Sequence, residues 1–397
     1  MRSPRVWPLY VGGALGPYGS TMVTPILQEV ADGLDSTPEV AASALTAYMI
    51  PFAALMLVSG TLAERWGRRR TIRVSLVVFV LACALCALAP TMELFLAARV
   101  LQGATNAFTT PLLLAAITDS VPRERLGRSM GRFAAWQAAG QAFSPLISGV
   151  AGFVDWRLAF VVPALCAVAL ALLPPDEAAT ERRAPGRARW GALLNRRLAL
   201  ACALAFLCYL AAVGLTVLSA LRAEDVFGLG PIARGLLASA FGIAGLLLAD
   251  TAGRLLDRLG PLTLGLIANA VLALGVLTAA LGPSVAAMTV GVVAVGASVT
   301  AMRATVNAMA STSTPDNRAG ASSLALAFQF FGGALAALVW VPLYAMAPGA
   351  GFAAAALAPL AAILVLSVVC PRVGLRFGRA PVPPSSRPSD DRPAPTE

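Results

Sequence analysis

The sequence repeats a short polar pattern at an interval of 193 residues. Glycine, acid, arginine and glycine occur at the same spacing in the segment from Gly60 to Gly67 and in the segment from Gly253 to Gly260. A second set of matches keeps this interval, with Pro122, Arg125 and Gly127 repeated as Pro315, Arg318 and Gly320. Each copy interrupts a series of long apolar runs. The 397 residues therefore form two related halves.

The composition requires contact with lipid. Hydrophobic residues make up 58% of the chain and charged residues 13%, against roughly 25% charged residues in a soluble domain. All 30 basic residues are arginine, and the sequence lacks histidine, the usual proton carrier at neutral pH and the commonest metal ligand. Cys83 and Cys86 have the spacing of a redox or zinc motif, but no partner Cys or His accompanies them in their apolar run. We read them as helix-packing residues and predict no metal and no cofactor.

Twelve apolar segments have about the length needed to cross a bilayer, roughly 20 residues. Their limits are 7–28, 41–62, 72–90, 94–117, 130–152, 158–174, 198–221, 233–252, 261–281, 284–310, 321–346 and 350–370. We therefore predict an all-α membrane protein with twelve transmembrane helices in two six-helix, pseudo-symmetric bundles. The predicted parts are bundles at 1–174 and 198–371, a cytoplasmic central loop at 175–197, and a disordered cytoplasmic tail at 372–397 that is rich in Pro, Ser and Arg.

Arginine residues separate the two sides of the predicted bundles. With both termini on one side, 25 arginines fall on that side, and the other side has only Arg157, Arg222 and Arg234. Basic loops of membrane proteins stay in the cytoplasm. We therefore predict a multi-pass protein of a bacterial inner (plasma) membrane with both termini in the cytoplasm. The same asymmetry explains the net charge of +10 without a nucleic-acid partner.

The polar pattern between spans 2 and 3 resembles the signature of the major facilitator superfamily, G-x-L-a-D-R-x-G-R-[RK]. Its members in this chain are Gly60, Glu64 in place of the usual Asp, Arg65, Gly67 and Arg68. The resemblance covers nearly the whole chain and implies a cytoplasmic latch, whose charged pairs form in one conformation and break in the other. By this analogy Asp119 pairs with Arg68, and the second copy of the latch consists of Gly253, Asp257, Arg258 and Gly260. The alternative is an arginine cluster that only keeps the loop in the cytoplasm.

Two further patterns resemble the drug/proton antiporter branch of this superfamily. In span 4, Arg99, Gln102 and Gly103 belong to a match to an R-x-x-x-G motif of proton-coupled members, which implies a coupling role. The alternative for Arg99 is an interfacial anchor, because it lies only about one and a half turns from the outer end of its span. In span 5, an antiporter motif is matched, with serine where glycine is usual, by Gly140, Ser144, Pro145 and Gly149.

The sequence does not identify a carrier for the coupling proton. Related antiporters often have a carboxylate in the middle of span 1 or span 4, whereas span 1 here has none before Glu29 at its outer end. Asp250, near the inner end of span 8, is the one acid placed within a predicted span. Three possibilities stay open: coupling through Glu29, Asp119 and Asp250, a substrate that carries the proton, or transport without protons.

The resemblance implies a central cavity lined chiefly by spans 1, 4, 7 and 10. Candidate substrate-binding residues are Tyr48, Asn106, Gln137, Gln141, Tyr209, Arg303, Asn307 and Gln329, with Thr105, Trp136, Phe241 and Phe330 near them. Arg303 is the most informative, because a cation within a span is costly unless it is paired or faces water. It favours a site that accepts anions; pairing with Asp316 or with helix carbonyls is the alternative.

These features predict a secondary transporter that exports a small amphipathic drug or metabolite by proton antiport with alternating access. Import of a sugar or organic acid is the alternative within transport, and the proline motif of span 5 speaks against it. A non-transporting membrane sensor is the alternative outside transport. An enzyme is not predicted, since the sequence shows no nucleophile–base pair, metal cluster or phosphate loop. The expected partners are a small-molecule substrate, protons and the lipid bilayer, and the expected state is a monomer.

Overall fold

A computed structural model describes residues 7–121, 123–172, 193, 195–314 and 318–372. The described part is helical and contains no strand. Its α-helices are α1 (Trp7–Gly13), α2 (Leu15–Thr21), α3 (Leu27–Gly33), α4 (Pro38–Trp66), α5 (Arg68–Leu88), α6 (Met92–Asn106), α7 (Thr110–Ser120), α8 (Arg123–Val154), α9 (Val161–Leu172), α10 (Arg196–Asp225), α11 (Pro231–Leu281), α12 (Val285–Ser313), α13 (Arg318–Met346), α14 (Pro348–Leu364) and α15 (Cys370–Arg372). Two 3-10 turns precede α3 and α9, at Thr24–Ile26 and Trp156–Phe160, and a π-helical turn, Val365–Val369, precedes α15.

Eight helices of the described part are long and apolar enough to cross a membrane. The longest, α11, contains predicted spans 8 and 9 and departs from helical geometry at Gly260, where φ is 77° and ψ is 165°. Predicted span 1 is not one long helix, because Pro25 lies in a 3-10 turn that separates α2 from α3. Predicted span 6 consists of a 3-10 turn followed by the 12 residues of α9 within the described part. The all-α fold is confirmed, and the count of twelve spans stays a prediction.

The interval of 193 residues also sets where helices begin. Pro38 is the first residue of α4 and Pro231 is the first residue of α11, a position that favours proline because its missing N–H would be unsatisfied there. The hydroxyls of Thr91 and Ser284 accept a backbone N–H three residues later and so cap α6 and α12. The repeat therefore extends from the polar motifs to helix boundaries.

Two glycines at the same interval let helices pack closely in each half. A Cβ on Gly103 would meet the carbonyl oxygen of Tyr48, and a Cβ on Gly296 would meet the carbonyl oxygen of Phe241. Because Tyr48 and Phe241 are also 193 residues apart, both halves use the same contact between their second and fourth predicted spans. Small residues permit this close approach of helices in a membrane protein.

One predicted boundary is wrong by two residues. The central loop was expected to reach residue 197, but α10 begins at Arg196, because Asn195 caps it by accepting the Leu198 N–H at 2.8 Å. Arg196 and Arg197 are therefore helical. Most of the predicted loop, residues 173–192 and 194, and the predicted tail beyond Arg372 lie outside the described residues.

The two ends of the bundle differ in charge, and we name them accordingly. The arginine-rich end contains the turn after α4 and the matching break in α11, with Arg65, Arg70 and Arg258. The acidic end contains the end of α3 and the end of α10, with Glu29 and Glu224.

Candidate functional site

A small central cavity of about 50 Å³ lies between the two halves. Its walls come from predicted spans 1, 2, 4 and 5 of the first half and spans 7, 10 and 11 of the second. The predicted binding residues that line it are Gln137, Gln141, Tyr209, Arg303, Gln329 and Phe330. Apolar side chains, including Met49 and Phe52, complete the wall. The cavity thus combines apolar surface with a few polar groups, as small-molecule sites do.

A cleft of about 400 Å³ continues from this cavity toward the arginine-rich end. Gln141 and Arg303 line both spaces, so the cleft and the cavity share these two side chains. The cleft lies between α8 on one side and α11 and α12 on the other, and Asp250 lines it near the arginine-rich end. This arrangement places Arg303 where a molecule entering the cleft first reaches the centre of the bundle.

Tight helix contacts close the bundle between the cavity and the acidic end. The Thr46 hydroxyl of α4 donates to the carbonyl oxygen of Ala334 in α13 at 2.5 Å. The rings of Phe52 and Phe330 meet edge to face, with centroids 4.5 Å apart. A Cβ on Gly235 of α11 would lie 2.6 Å from the carbonyl oxygen of Pro145 in α8. These contacts join the first half to the second.

A buried ion cluster adds a charged contact between the halves at the acidic end. The Arg234 guanidinium is only 3% exposed and pairs with Glu29 of the first half and Glu224 of the second. Burial raises the pKa of the Glu29 carboxyl above its ordinary value, and the adjacent Arg234 guanidinium opposes this shift. The second carboxylate oxygen of Glu29 is buried without a hydrogen-bond partner in the described part of the chain. The carboxyl therefore combines burial, a cation and a free acceptor.

The arginine-rich end lacks such contacts at its glycines. A Cβ on Gly60, Gly131 or Gly253 would meet no atom within 4 Å. The latch glycines Gly67 and Gly260 have φ values of 85° and 77°, a region that other residues rarely adopt, so both copies of the latch make the same turn. The bundle is therefore closed at the acidic end and open at the arginine-rich end.

The charged residues of the predicted latch are only partly described. Arg65, Asp257 and Arg258 are exposed at the arginine-rich end. The side chains of Glu64 and Asp119 lie outside the described residues, so the pairing of Asp119 with Arg68 stays a prediction.

Arg99 lies at the centre of a polar network within the first half. The side chain is fully buried, so it does not reach the outer surface as an interfacial anchor. Its guanidinium donates to the carbonyl oxygens of Gly19 at 2.8 Å and Ala44 at 3.3 Å and to the Gln102 side chain, and it lies 4.5 Å from the centre of the Tyr48 ring. These contacts tie predicted spans 1, 2 and 4 together without a carboxylate.

Several predicted binding residues do not line the central cavity. Tyr48 and Asn106 are buried together: the Asn106 amide donates to the Tyr48 hydroxyl at 2.6 Å, and that hydroxyl donates to the Gly16 carbonyl oxygen at 3.0 Å. Asn307 and Trp136 are exposed, and Thr105 lines a separate groove beside α4 and α5. Their positions follow from helix rotation, because the residue one turn after Asn106, Thr110, does line the cavity.

The proline motif of α8 contacts both neighbouring helices. A Cβ on Gly140 would lie 2.5 Å from the Ala14 carbonyl oxygen, and the Ser144 hydroxyl donates to the Tyr18 carbonyl oxygen at 2.8 Å. On the other side, a Cβ on Gly149 would lie 3.1 Å from the Gly235 Cα. The motif therefore packs span 5 against span 1 and against the other half.

The ion cluster includes two residues that the sequence did not identify as site residues, Arg234 and Glu224. Glu29 and Arg234 are 205 residues apart, and no spacing rule connects them. The available signal is compositional, because Arg234 is one of only three arginines on the predicted outer side.

Comparison with known proteins agrees with this architecture. A curated relative, the methylenomycin A resistance protein of Streptomyces coelicolor, is 31% identical over 195 residues, which cover 47% of this chain and 41% of the relative. The multidrug resistance protein B homolog of Mycobacterium tuberculosis is 34% identical over 128 residues, which cover 32% of this chain and 24% of the relative. The matches thus span less than half the length of these relatives.

Solved structures match over almost the whole chain. A bacterial homologue of the human lysosomal transporter Spinster, in an inward-facing and unoccupied conformation, has a TM-score of 0.72 at 17% identity and covers 95% of this chain and 98% of its own. The nucleoside transporter NupG also has a TM-score of 0.72, at 15% identity, and covers 93% of this chain and 99% of its own. The sequence matches the Major Facilitator Superfamily over residues 9–337. This chain therefore belongs to the Major Facilitator Superfamily of multi-pass membrane transporters.

Proposed function

We propose that the protein is a secondary exporter of a small amphipathic molecule in a bacterial inner membrane. The observation that carries this proposal is the central cavity, which is closed at the acidic end and continues as a cleft toward the arginine-rich end. With the arginine-rich end in the cytoplasm, as the distribution of arginines favours, this arrangement is the inward-facing state that loads a substrate from the cytoplasm.

Two observations favour export over import. The proline motif of α8 resembles the antiporter branch, and its glycines pack against span 1 and against the other half. Relatives named for resistance to methylenomycin A and to multiple drugs support removal of a toxic compound from the cell. The cargo of this exporter is a drug or a metabolite with an apolar body and a polar group, which matches the mixed lining of the cavity.

The proposed mechanism is alternating access coupled to protons. Glu29 is the carrier that the geometry supports best among the acids suggested by the sequence. It belongs to the contact that must open when the acidic end opens, and burial in the closed state raises the pKa of its carboxyl. Closure of the acidic end then takes up a proton from the outer side, which is the direction that proton antiport requires.

Transport into inside-out vesicles tests this proposal. Respiring vesicles acidify their lumen, and a pH-sensitive dye reports the gradient. For an exporter, addition of transported compounds from a panel of amphipathic acids, amides and amines causes their accumulation and a partial loss of the gradient. Vesicles without the protein show neither effect. Accumulation in right-side-out vesicles alone would establish import, and a panel that gives no flux in either orientation would refute transport of this class of molecule.

A further inference from the structure

The charge of the central cavity comes from one residue. Arg303 is the only ionisable side chain of Asp, Glu or Arg type that lines the central cavity or the smaller cavity of about 20 Å³ beside it, within the described part of the chain. Its polar neighbours are uncharged amides and hydroxyls, including Gln141, Gln329 and Tyr209. The centre of the bundle therefore presents a single positive charge.

Arg303 has no carboxylate partner among the described residues. No acidic oxygen lies within 4.0 Å of its guanidinium, and its polar contact is with the Tyr209 hydroxyl. Asp250 lines the same cleft but is exposed and lies one turn before Arg254, so its charge is compensated at the arginine-rich end. Asp316 lies outside the described residues. The last residue of α12, Ser313, is ten residues from Arg303, or about 15 Å along the helix.

The other two arginines buried within the bundle have their acceptors supplied by the protein. Arg234 has two carboxylates, Glu29 and Glu224. Arg99 has two backbone carbonyl oxygens and the Gln102 side chain. Arg303 differs from both, because its guanidinium borders a cavity and makes no ion pair and no backbone hydrogen bond in the described part. Its donors are available to a molecule in the cavity.

The repeat shows that this charge is specific to the second half. The equivalent residue 193 positions earlier is Thr110, which lines the same cavity and carries no charge. The two helices therefore present an arginine and a threonine to the same space. A guanidinium binds a carboxylate through two parallel hydrogen bonds, a geometry that neither threonine nor the neighbouring amides offer.

We propose that the substrate is an amphipathic anion, of the carboxylate class, and that Arg303 binds its charged group. This inference rests on the proposed function, since it assigns the substrate class of the same cavity. The apolar side chains of Met49, Phe52 and Phe330 contact the uncharged body of the substrate, and the cleft of about 400 Å³ admits a molecule of small size.

Equilibrium binding to the purified full-length protein tests the inference. The probes are three acids, phenylacetate, 1-naphthylacetate and indole-3-acetate, each compared with its neutral amide and with the corresponding aryl-methylamine. We expect at least one acid to bind at least about tenfold more tightly than its amide, since a charge-assisted contact is lost in the amide. Arg303→Gln removes this preference while the amide binds as before, and Arg303→Lys keeps most of it.

Several outcomes would overturn the inference. These are equal binding of acids and amides, tighter binding of the amines, failure of all three acids to bind, or an unchanged preference in Arg303→Gln. Size-exclusion elution and thermal unfolding show whether the variant is folded, and Arg157→Gln, a change of an exposed arginine, is the matched control. Vesicle export of amines or amides without a preference for acids would leave the exporter in place and refute the anion site. Loss of all vesicle transport would refute the proposed function itself.

Discussion

Replacing Arg234 with glutamine removes the cation that joins the halves at the acidic end. Its guanidinium is 3% exposed, whereas the side chains of Glu29 and Glu224 are 22% and 32% exposed. Removing one partner of a fully buried pair costs roughly 3–5 kcal/mol, and partial exposure of the two carboxylates reduces this to about 1–3 kcal/mol. Because this cross-half contact exists only when the acidic end is closed, the ratio of open to closed molecules rises by roughly 5- to 150-fold.

Labelling of a single cysteine measures this shift. Thr24 is 3% exposed and lines the small cavity between the halves near the acidic end, so Thr24→Cys in a background without the six native cysteines is protected when that end is closed. A membrane-impermeant maleimide added to intact cells reaches this thiol only when the acidic end opens. We expect Arg234→Gln to raise the labelling rate by at least about fivefold.

Arg222→Gln is the matched control for this experiment. Arg222 lies at the same end, and its guanidinium donates to the Gly282 carbonyl oxygen at 3.2 Å within its own half. The substitution removes the same charge without removing a contact between the halves, so labelling stays at the wild-type rate. Equal labelling rates in Arg234→Gln, Arg222→Gln and the parent protein would refute the role of the cluster in closure.

The pH dependence gives the sign of the Glu29 contribution. Burial raises the pKa of this carboxyl in the closed state, so the closed state binds the proton more tightly than an exposed carboxyl does. Acidification therefore favours closure, and the opening caused by Arg234→Gln is reversed as pH falls through the Glu29 pKa. Labelling rates are compared with those of Glu29→Gln, which lacks this titration, to remove the pH dependence of the maleimide reaction. A rise in relative labelling on acidification would contradict the assignment.

Three further predictions concern packing and the latch. Gly103→Ala places a methyl group against the Tyr48 carbonyl oxygen and lowers stability by about 1–3 kcal/mol in thermal unfolding, whereas Gly131→Ala, in open space, leaves the unfolding temperature unchanged. Arg99→Met removes hydrogen bonds from a buried cation to two helices and costs about 2–4 kcal/mol in the same assay; an unchanged unfolding temperature would show that these bonds add no net stability. Glu64→Ala slows vesicle transport and leaves equilibrium binding nearly intact, and an unchanged rate would exclude the latch role.

The overall architecture could be predicted from the sequence because it follows from two periodic signals. Apolar runs of bilayer length locate the helices, and the interval of 193 residues predicts matching turns, which Gly67 and Gly260 make with φ values of 85° and 77°. Local interruptions were harder to predict. Pro25 divides span 1 into short helices, since proline within an apolar run does not itself indicate whether neighbouring helices support the broken backbone.

The site could be predicted only in part because it depends on helix rotation and on distant contacts. Gln141 and Arg303 line the cavity as expected, but Asn106 faces Tyr48 within the first half, and Thr110, one turn later, takes the cavity position. The ion cluster could not be predicted, because it joins Glu29 to Arg234 across 205 residues and lies outside the repeated pattern.

Distance measurements between spin labels test most directly whether the two ends open in alternation. One pair, at Gly131 and Gly253, spans the cleft at the arginine-rich end, where both positions have open space. The second pair, at the exposed residues Glu39 and Val226, spans the acidic end. Alternating access predicts that Arg234→Gln shortens the first distance and lengthens the second in the same fraction of molecules. If both distances stay fixed, or if they change in the same direction, the two halves do not alternate about the central cavity.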